Sequence, residues 1–154
     1  MNLPSDSLYL VVNFNSSIED YYQDNIVNDF RVRLNNPLTL SNGFWKVALC
    51  EIHIVNLLLD PVLPDDVPIF LQVEFDNCEG ILVDGNPSRA LRLIPYETNV
   101  RTMFTCPFYV PLQTGYIDSC HISVKVVSTK GIQIQRLNNS CITCTLHFKK
   151  HVNR

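Results

Sequence analysis

Cys141-Ile142-Thr143-Cys144-Thr145-Leu146-His147-Phe148-Lys149 decides the fold. Ile142, Cys144, Leu146 and Phe148 alternate with Thr143, Thr145, His147 and Lys149. Successive side chains of a strand point to opposite faces, so a period of two lines one face with apolar groups and leaves the other polar. The same alternation recurs upstream. Leu8, Leu10, Val12 and Phe14 make one face of a first strand. Phe30, Val32 and Leu34 alternate with Asp29, Arg31 and Arg33, and Ile122, Val124 and Val126 with His121, Ser123 and Lys125. Ile69, Leu71, Val73 and Phe75 alternate in part with Gln72, Glu74 and Asp76. Each pattern predicts a strand with one face on a core.

One stretch breaks the rule. Phe44 to Val55 is apolar at odd and even positions alike, which predicts a central strand or one whose outer face is covered. Trp45, the single tryptophan, opens it after the turn Ser41-Asn42-Gly43 and reads as a core residue or as an anchor between subunits. Turn chemistry also marks Asn35-Asn36-Pro37, residues 60–68, Asp84-Gly85-Asn86-Pro87, Thr129-Lys130-Gly131 and Asn138-Asn139-Ser140. Weaker strands fill in at 90–94, 101–109 and 132–135. The best helical candidate, 16–28, carries Tyr21, Tyr22, Asn25 and Val27 and predicts only a helical turn or ordered loop. The result is an all-β chain of about eight to ten strands, a sandwich or jelly roll. With no repeat, low-complexity tract or dividing linker, residues 1–154 read as one domain, with 1–6 and 150–154 as arms.

Composition narrows the function classes. The chain is 46% apolar and 18% charged, poor in solubilising charge, which fits a surface partly covered by neighbours. Net charge is −3, from 12 basic and 15 acidic residues, with no basic stripe, so sequence-specific nucleic-acid binding is not expected. The basic cluster Lys149, Lys150, His151 and Arg154 reads as a solvated tail or, as the alternative, an arm that touches phosphate. The first residues lack a secretory leader, and no apolar run reaches membrane-spanning length. The expectation is a chain made inside a cell, with reduced thiols.

The residues that carry chemistry do not assemble into a motif. Cys141 and Cys144 form a CxxC, but on a strand two positions three apart face opposite ways and cannot grip one metal. The histidines at 53, 121, 147 and 151 belong to no metal-binding helix motif, and the chain has no P-loop, GxGxxG or GxSxG. Asp65-Asp66, Glu74 with Asp76, and Glu79 sit by turns and read as solvated. Asp118-Ser119-Cys120-His121 crowds suggestive types together, but a triad is assembled in space and not by adjacency. No catalytic residue, metal or cofactor is expected, and the chain is not expected to be an enzyme.

Two stretches resemble a known family. One is Asn25 and Phe30-Arg31-Val32-Arg33-Leu34, then Pro37-Leu38-Thr39-Leu40, then Gly43-Phe44-Trp45-Lys46-Val47-Ala48-Leu49-Cys50-Glu51-Ile52. The other runs from Tyr109-Val110-Pro111-Leu112 through Ile117, Ile122-Ser123-Val124, Gly131 and Ile134 to Thr145-Leu146-His147-Phe148-Lys149-Lys150. In order and spacing they resemble the penton-type minor capsid proteins of Polinton/Maverick elements and of adintovirus-like and adomavirus-like DNA viruses. The resemblance implies a single jelly-roll antiparallel β-sandwich forming homopentamers at the fivefold vertices of an icosahedral virion. It implies a major capsid protein of double jelly-roll type as neighbour, and leaves room for a host receptor. Phe30, Trp45, Val47, Leu49, Ile52, Leu146 and Phe148 are the candidate assembly or core positions, and Asp65, Asp66 and Asn86 the candidate outer-loop residues. Two other classes stay open at this point. One is a jelly roll that builds a small shell alone. The other is a β-sandwich that binds glycan or protein through loop tyrosines such as Tyr96 or Tyr116.

Overall fold

A computed structural model describes residues 6–13, 24–40, 43–56, 58–59, 67–83, 85–129, 133–134, 137–138 and 141–151. Their regular structure is all strand, and every pairing is antiparallel. The strands are β1 (Ser7–Asn13), β2 (Asp29–Thr39), β3 (Phe44–Val55), β4 (Leu58–Leu59), β5 (Pro68–Phe75), β6 (Ile81–Val83) and β7 (Asn86–Ser88). They continue with β8 (Ala90–Pro95), β9 (Val100–Met103), β10 (Val110–Pro111), β11 (Tyr116–Ser128), β12 (Gln133–Ile134), β13 (Leu137–Asn138) and β14 (Cys141–His151).

Two five-stranded sheets hold ten of them. In the first, β1 pairs with β14, β14 with β3, and the far edge of β3 takes β9 and β10 in turn. In the second, β11 has β5 and then β8 on one side, and β2 and β12 on the other. The pairings are nested. The outermost strands, β1 and β14, pair; inside them β2 pairs with β11, then β3 with β9 and β10, and innermost β5 with β8. Successive nested pairs fall in alternate sheets. A long antiparallel hairpin wound into two facing sheets in this way is a jelly roll, as the alternation and the family resemblance led one to expect. The small hairpin β6–β7 stands at the innermost turn of the roll, and the short ladder of β4 with β13 follows the junction of β3 and β14.

The core lies between the sheets. Leu8 and Val12 of β1, Ile142, Cys144, Leu146 and Phe148 of β14, and Leu71, Val73 and Phe75 of β5 are all buried. So are Phe30 and Val32 of β2 and Ile122, Val124 and Val126 of β11. Phe75 meets Phe148 edge to face, centroids 6.3 Å apart at 77°, joining the two sheets directly. Each such fully buried side chain contributes about 1.5–3 kcal/mol relative to exposure.

The doubly apolar stretch resolves into a central strand with a bulge. β3 is flanked on both sides, by β14 and by β9 with β10. Leu146 pairs with Leu49 and Thr145 with Glu51, leaving Cys50 as the extra residue. Trp45, Val47 and Leu49 point inward before the bulge, and Ile52 and Ile54 after it. The change of phase at Cys50 made both sequence parities look buried. At the start of β3, Gly43 has φ +133°, and a β-carbon there would lie 2.6 Å from Cε of Lys150. A side chain at this turn is therefore strained and would displace the flexible end of Lys150.

Lys150 and His151, expected to begin a C-terminal arm, extend β14 and pair with Trp45 and Phe44. Residues 152–154 and 1–5 lie outside the described residues, as does most of the expected helical turn at 16–28. Its described end, Ile26 to Asp29, is closed by two backbone hydrogen bonds of 3.0 and 3.1 Å.

Candidate assembly surfaces

The outward faces of the two sheets differ in chemistry. On the second sheet the outward positions carry Asp29, Arg31, Gln72, Glu74, His121 and Lys125, and Asp29 with His121 and Gln72 and Lys125 with Glu74 are joined by hydrogen bonds and ion pairs. His121 sits between two carboxylates, with Nδ1 2.6 Å from Asp76 and Nε2 on Asp29. Lys125 lies 2.9 Å from Glu74, and Gln72 donates to both Glu74 and Ser88 at 2.9 Å. Three elements are tied across the sheet surface by groups paired among themselves.

The first sheet is different. Tyr9 and Val11 stand outward on β1, 68% and 61% exposed, and Met103 on β9 is 72% exposed. Phe44, Val55 and Phe108 add further exposed apolar groups on or beside this sheet. In its middle, Tyr9 stacks on His147 with centroids 4.3 Å apart, and the Tyr109 hydroxyl lies 2.7 Å from Nδ1 of the same ring. Lys149 lies over the Tyr109 ring, 5.7 Å from its centroid. Burial, and then the charge of Lys149, push the His147 pKa below its usual value.

The suggestive clusters of the sequence come apart in space. On β11, Cys120 faces the core and burial pushes its thiol up to about 12. Both ring nitrogens of the neighbouring His121 are taken by Asp29 and Asp76, so this histidine activates neither Ser119 nor Cys120. Cys144 is buried with its thiol raised to about 12, and Cys141 is on the other, half-exposed face of β14. Among the described residues no three His, Cys, Asp or Glu side chains meet in a way that would hold a metal, and no helix is long and apolar enough to cross a membrane.

Phe30, Trp45, Val47, Leu49, Ile52, Leu146 and Phe148 are all buried within the chain's own core. Asn86 is exposed in the β6–β7 hairpin beside Gly85, whose φ of +76° turns the chain. Asp65 and Asp66 lie outside the described residues. Tyr116 is 55% exposed, whereas Tyr96 is half-buried and packs on the core. The surface residues Tyr9, Val11, Met103 and the His147 cluster escape a reading that looks for core. Their signal was available for β1: if Leu8, Leu10 and Val12 face in, Tyr9 and Val11 must face out.

No protein-family model matches the chain, and no curated protein matches it. Among solved structures, the crystal structure of the mavirus penton protein is similar, with a TM-score of 0.65 at 7% sequence identity. The similarity covers 94% of this chain and 100% of the penton chain, so the two share one fold from end to end.

Proposed function

We propose that the chain is a structural protein of a viral capsid, a penton-like subunit that forms homopentamers at the fivefold vertices of the virion. The observation that carries this reading is the likeness of the whole roll to the mavirus penton protein, which leaves neither chain with an unmatched domain. The outward face of the first sheet supports it. Phe44 and Val55 on β3 and Met103 on β9 stand exposed, and an assembled subunit covers such groups. Head-to-tail contacts of this kind close a ring when the rotation between copies fits. The further partners proposed are a major capsid protein of double jelly-roll type and a host receptor at the loops beside Asn86. The chemistry here is association and not catalysis.

Mass photometry and negative-stain imaging of the purified chain test this. The expected result is a ring of about 88 kDa, five copies of the 17.6 kDa chain. A chain that stays monomeric at micromolar concentration overturns the proposal.

A further inference from the structure

Each sheet ends in edge strands whose outer backbone groups invite another strand, and folded proteins guard such edges with charge, proline, bulges or shortness. Most edges of this roll are guarded. β2 carries Asp29, Arg31, Arg33 and Pro37, and its register against β11 is broken. β8 carries Arg92 and Pro95 and has a register shift against β5. β9 is four residues long with Arg101, β10 is two residues long with Pro111, and β12 is two residues long. β1 is the exception among the described edges. Ser-Leu-Tyr-Leu-Val-Val-Asn holds no charge and no proline, and its register with β14 runs without a break.

The strand is also complementary to itself. Laid antiparallel on a copy, with Leu10 opposite Leu10, it sets Leu8 against Val12 on the core side and Tyr9 against Val11 on the outward side. Apolar groups then meet apolar groups in every one of these rows, and the pleat matches, because 8, 10 and 12 share one face. Charge points the same way. Two copies of β1 approach without repulsion, whereas a pair of β2 edges would bring Arg31 and Arg33 against their own kind.

We infer that β1 docks on β1 of a second copy, the two strands pairing antiparallel about a two-fold axis through Leu10 and joining the first sheets into one. This goes beyond the proposed ring, since a two-fold contact cannot close a fivefold ring; it links one ring to the next. One strand pair buries less than the ~1,200 Å² that a stable dimer usually needs, so the contact is weak for free chains and gains strength where several act together.

Thiol cross-linking tests the register. Directly opposed outward residues have β-carbons about 4.5–5.5 Å apart, at or beyond the limit of an unstrained disulfide but within reach of a short bis-maleimide. Tyr9→Cys chains mixed with Val11→Cys chains are expected to give a cross-linked pair well above the background that the exposed Cys106 sets in either variant alone. Mixed chains that cross-link no better than the separate variants overturn the inference. Val11→Lys, at an exposed position, places the usual edge guard on β1. It is expected to abolish species larger than a single ring while leaving rings intact, and larger species that persist unchanged also overturn the inference. Rings without the cross-link count against the two-fold contact alone, and the cross-link without rings counts against the pentamer alone.

Discussion

His147 sits where its surroundings shift its protonation. Tyr9 of β1 covers one side of the ring, the Tyr109 hydroxyl meets Nδ1, and Lys149 stands two residues along on the same face, with Lys46 opposite Lys149 in the next strand. The pKa is depressed by burial first and by Lys149 second, so the folded chain takes up this proton less readily than the unfolded chain, whose histidine titrates near 6.5. Above 6.5 neither state holds the proton, and the neutral ring costs nothing. As pH falls through 6.5 and then through the lower folded value, the unfolded state gains protons first and stability drops; below both values the loss is complete. His147→Gln keeps a polar group and removes the titration. Its melting temperature, measured against the wild type from about pH 7.5 to about pH 5, is expected to fall less steeply with acid. Parallel pH profiles for the two proteins would show that the stacked ring does not govern the acid limb. None of this was legible in the sequence, where His147 is merely one of the alternating positions of a strand; the partners are 138 and 38 residues away in sequence and meet only through the sheet.

Strands β3 and β14 show how far alternation carries a reading. β14 keeps one phase from Ile142 to Phe148, so its buried face could be taken directly from the sequence. β3 changes phase at Cys50, and a bulge has no signature in a run where both parities are already apolar. Deleting Cys50 removes the extra residue and joins the two halves in one unbroken alternation: Leu49 then precedes Glu51, and Trp45, Val47, Leu49, Ile52 and Ile54 all keep their inward places opposite the same residues of β14. The expected outcome is a chain that keeps its cooperative urea transition and its near-ultraviolet circular dichroism, as a Cys50→Ala control also should. A deletion variant that loses both would mean that the bulge itself, and not the alternation on either side of it, holds Trp45 inside. The turns fared better than the bulge: Gly43 and Gly85, both placed in turns by the sequence, have positive φ, a conformation that selects glycine locally, whatever the rest of the fold does.

At the scale of the molecule, the two sheets are inverted copies of one physical problem. Both bury an inner face; the outer face of the second is crossed by charge pairs, with Leu93 and Tyr116 exposed on its strands, whereas the first, beside its Glu51–His53 pair, exposes Tyr9, Val11, Phe44 and Met103. If coverage by neighbours explains the difference, a charge placed on the first sheet should disrupt association, and the same charge placed on the second should not. Met103 on β9 and Arg31 on β2 are both exposed, so neither substitution disturbs packing. Met103→Glu is expected to shift the chain from rings toward monomers by tenfold or more in dissociation constant, on the order of 1.4 kcal/mol, because a carboxylate must then be desolvated against an apolar neighbour. Arg31→Glu changes the net charge by more and is expected to leave the ring distribution where it was. Sedimentation velocity across a concentration series separates the two. Losses in both variants, larger in Arg31→Glu, would make net charge the cause, and losses in Arg31→Glu alone would move the assembly face to the second sheet. The ionic-strength dependence carries the same information independently: ring contacts made by Phe44 and Met103 hold or tighten as salt rises, whereas contacts made through Asp29, Glu74 and Lys125 weaken as the screening length shrinks toward about 3 Å at 1 M.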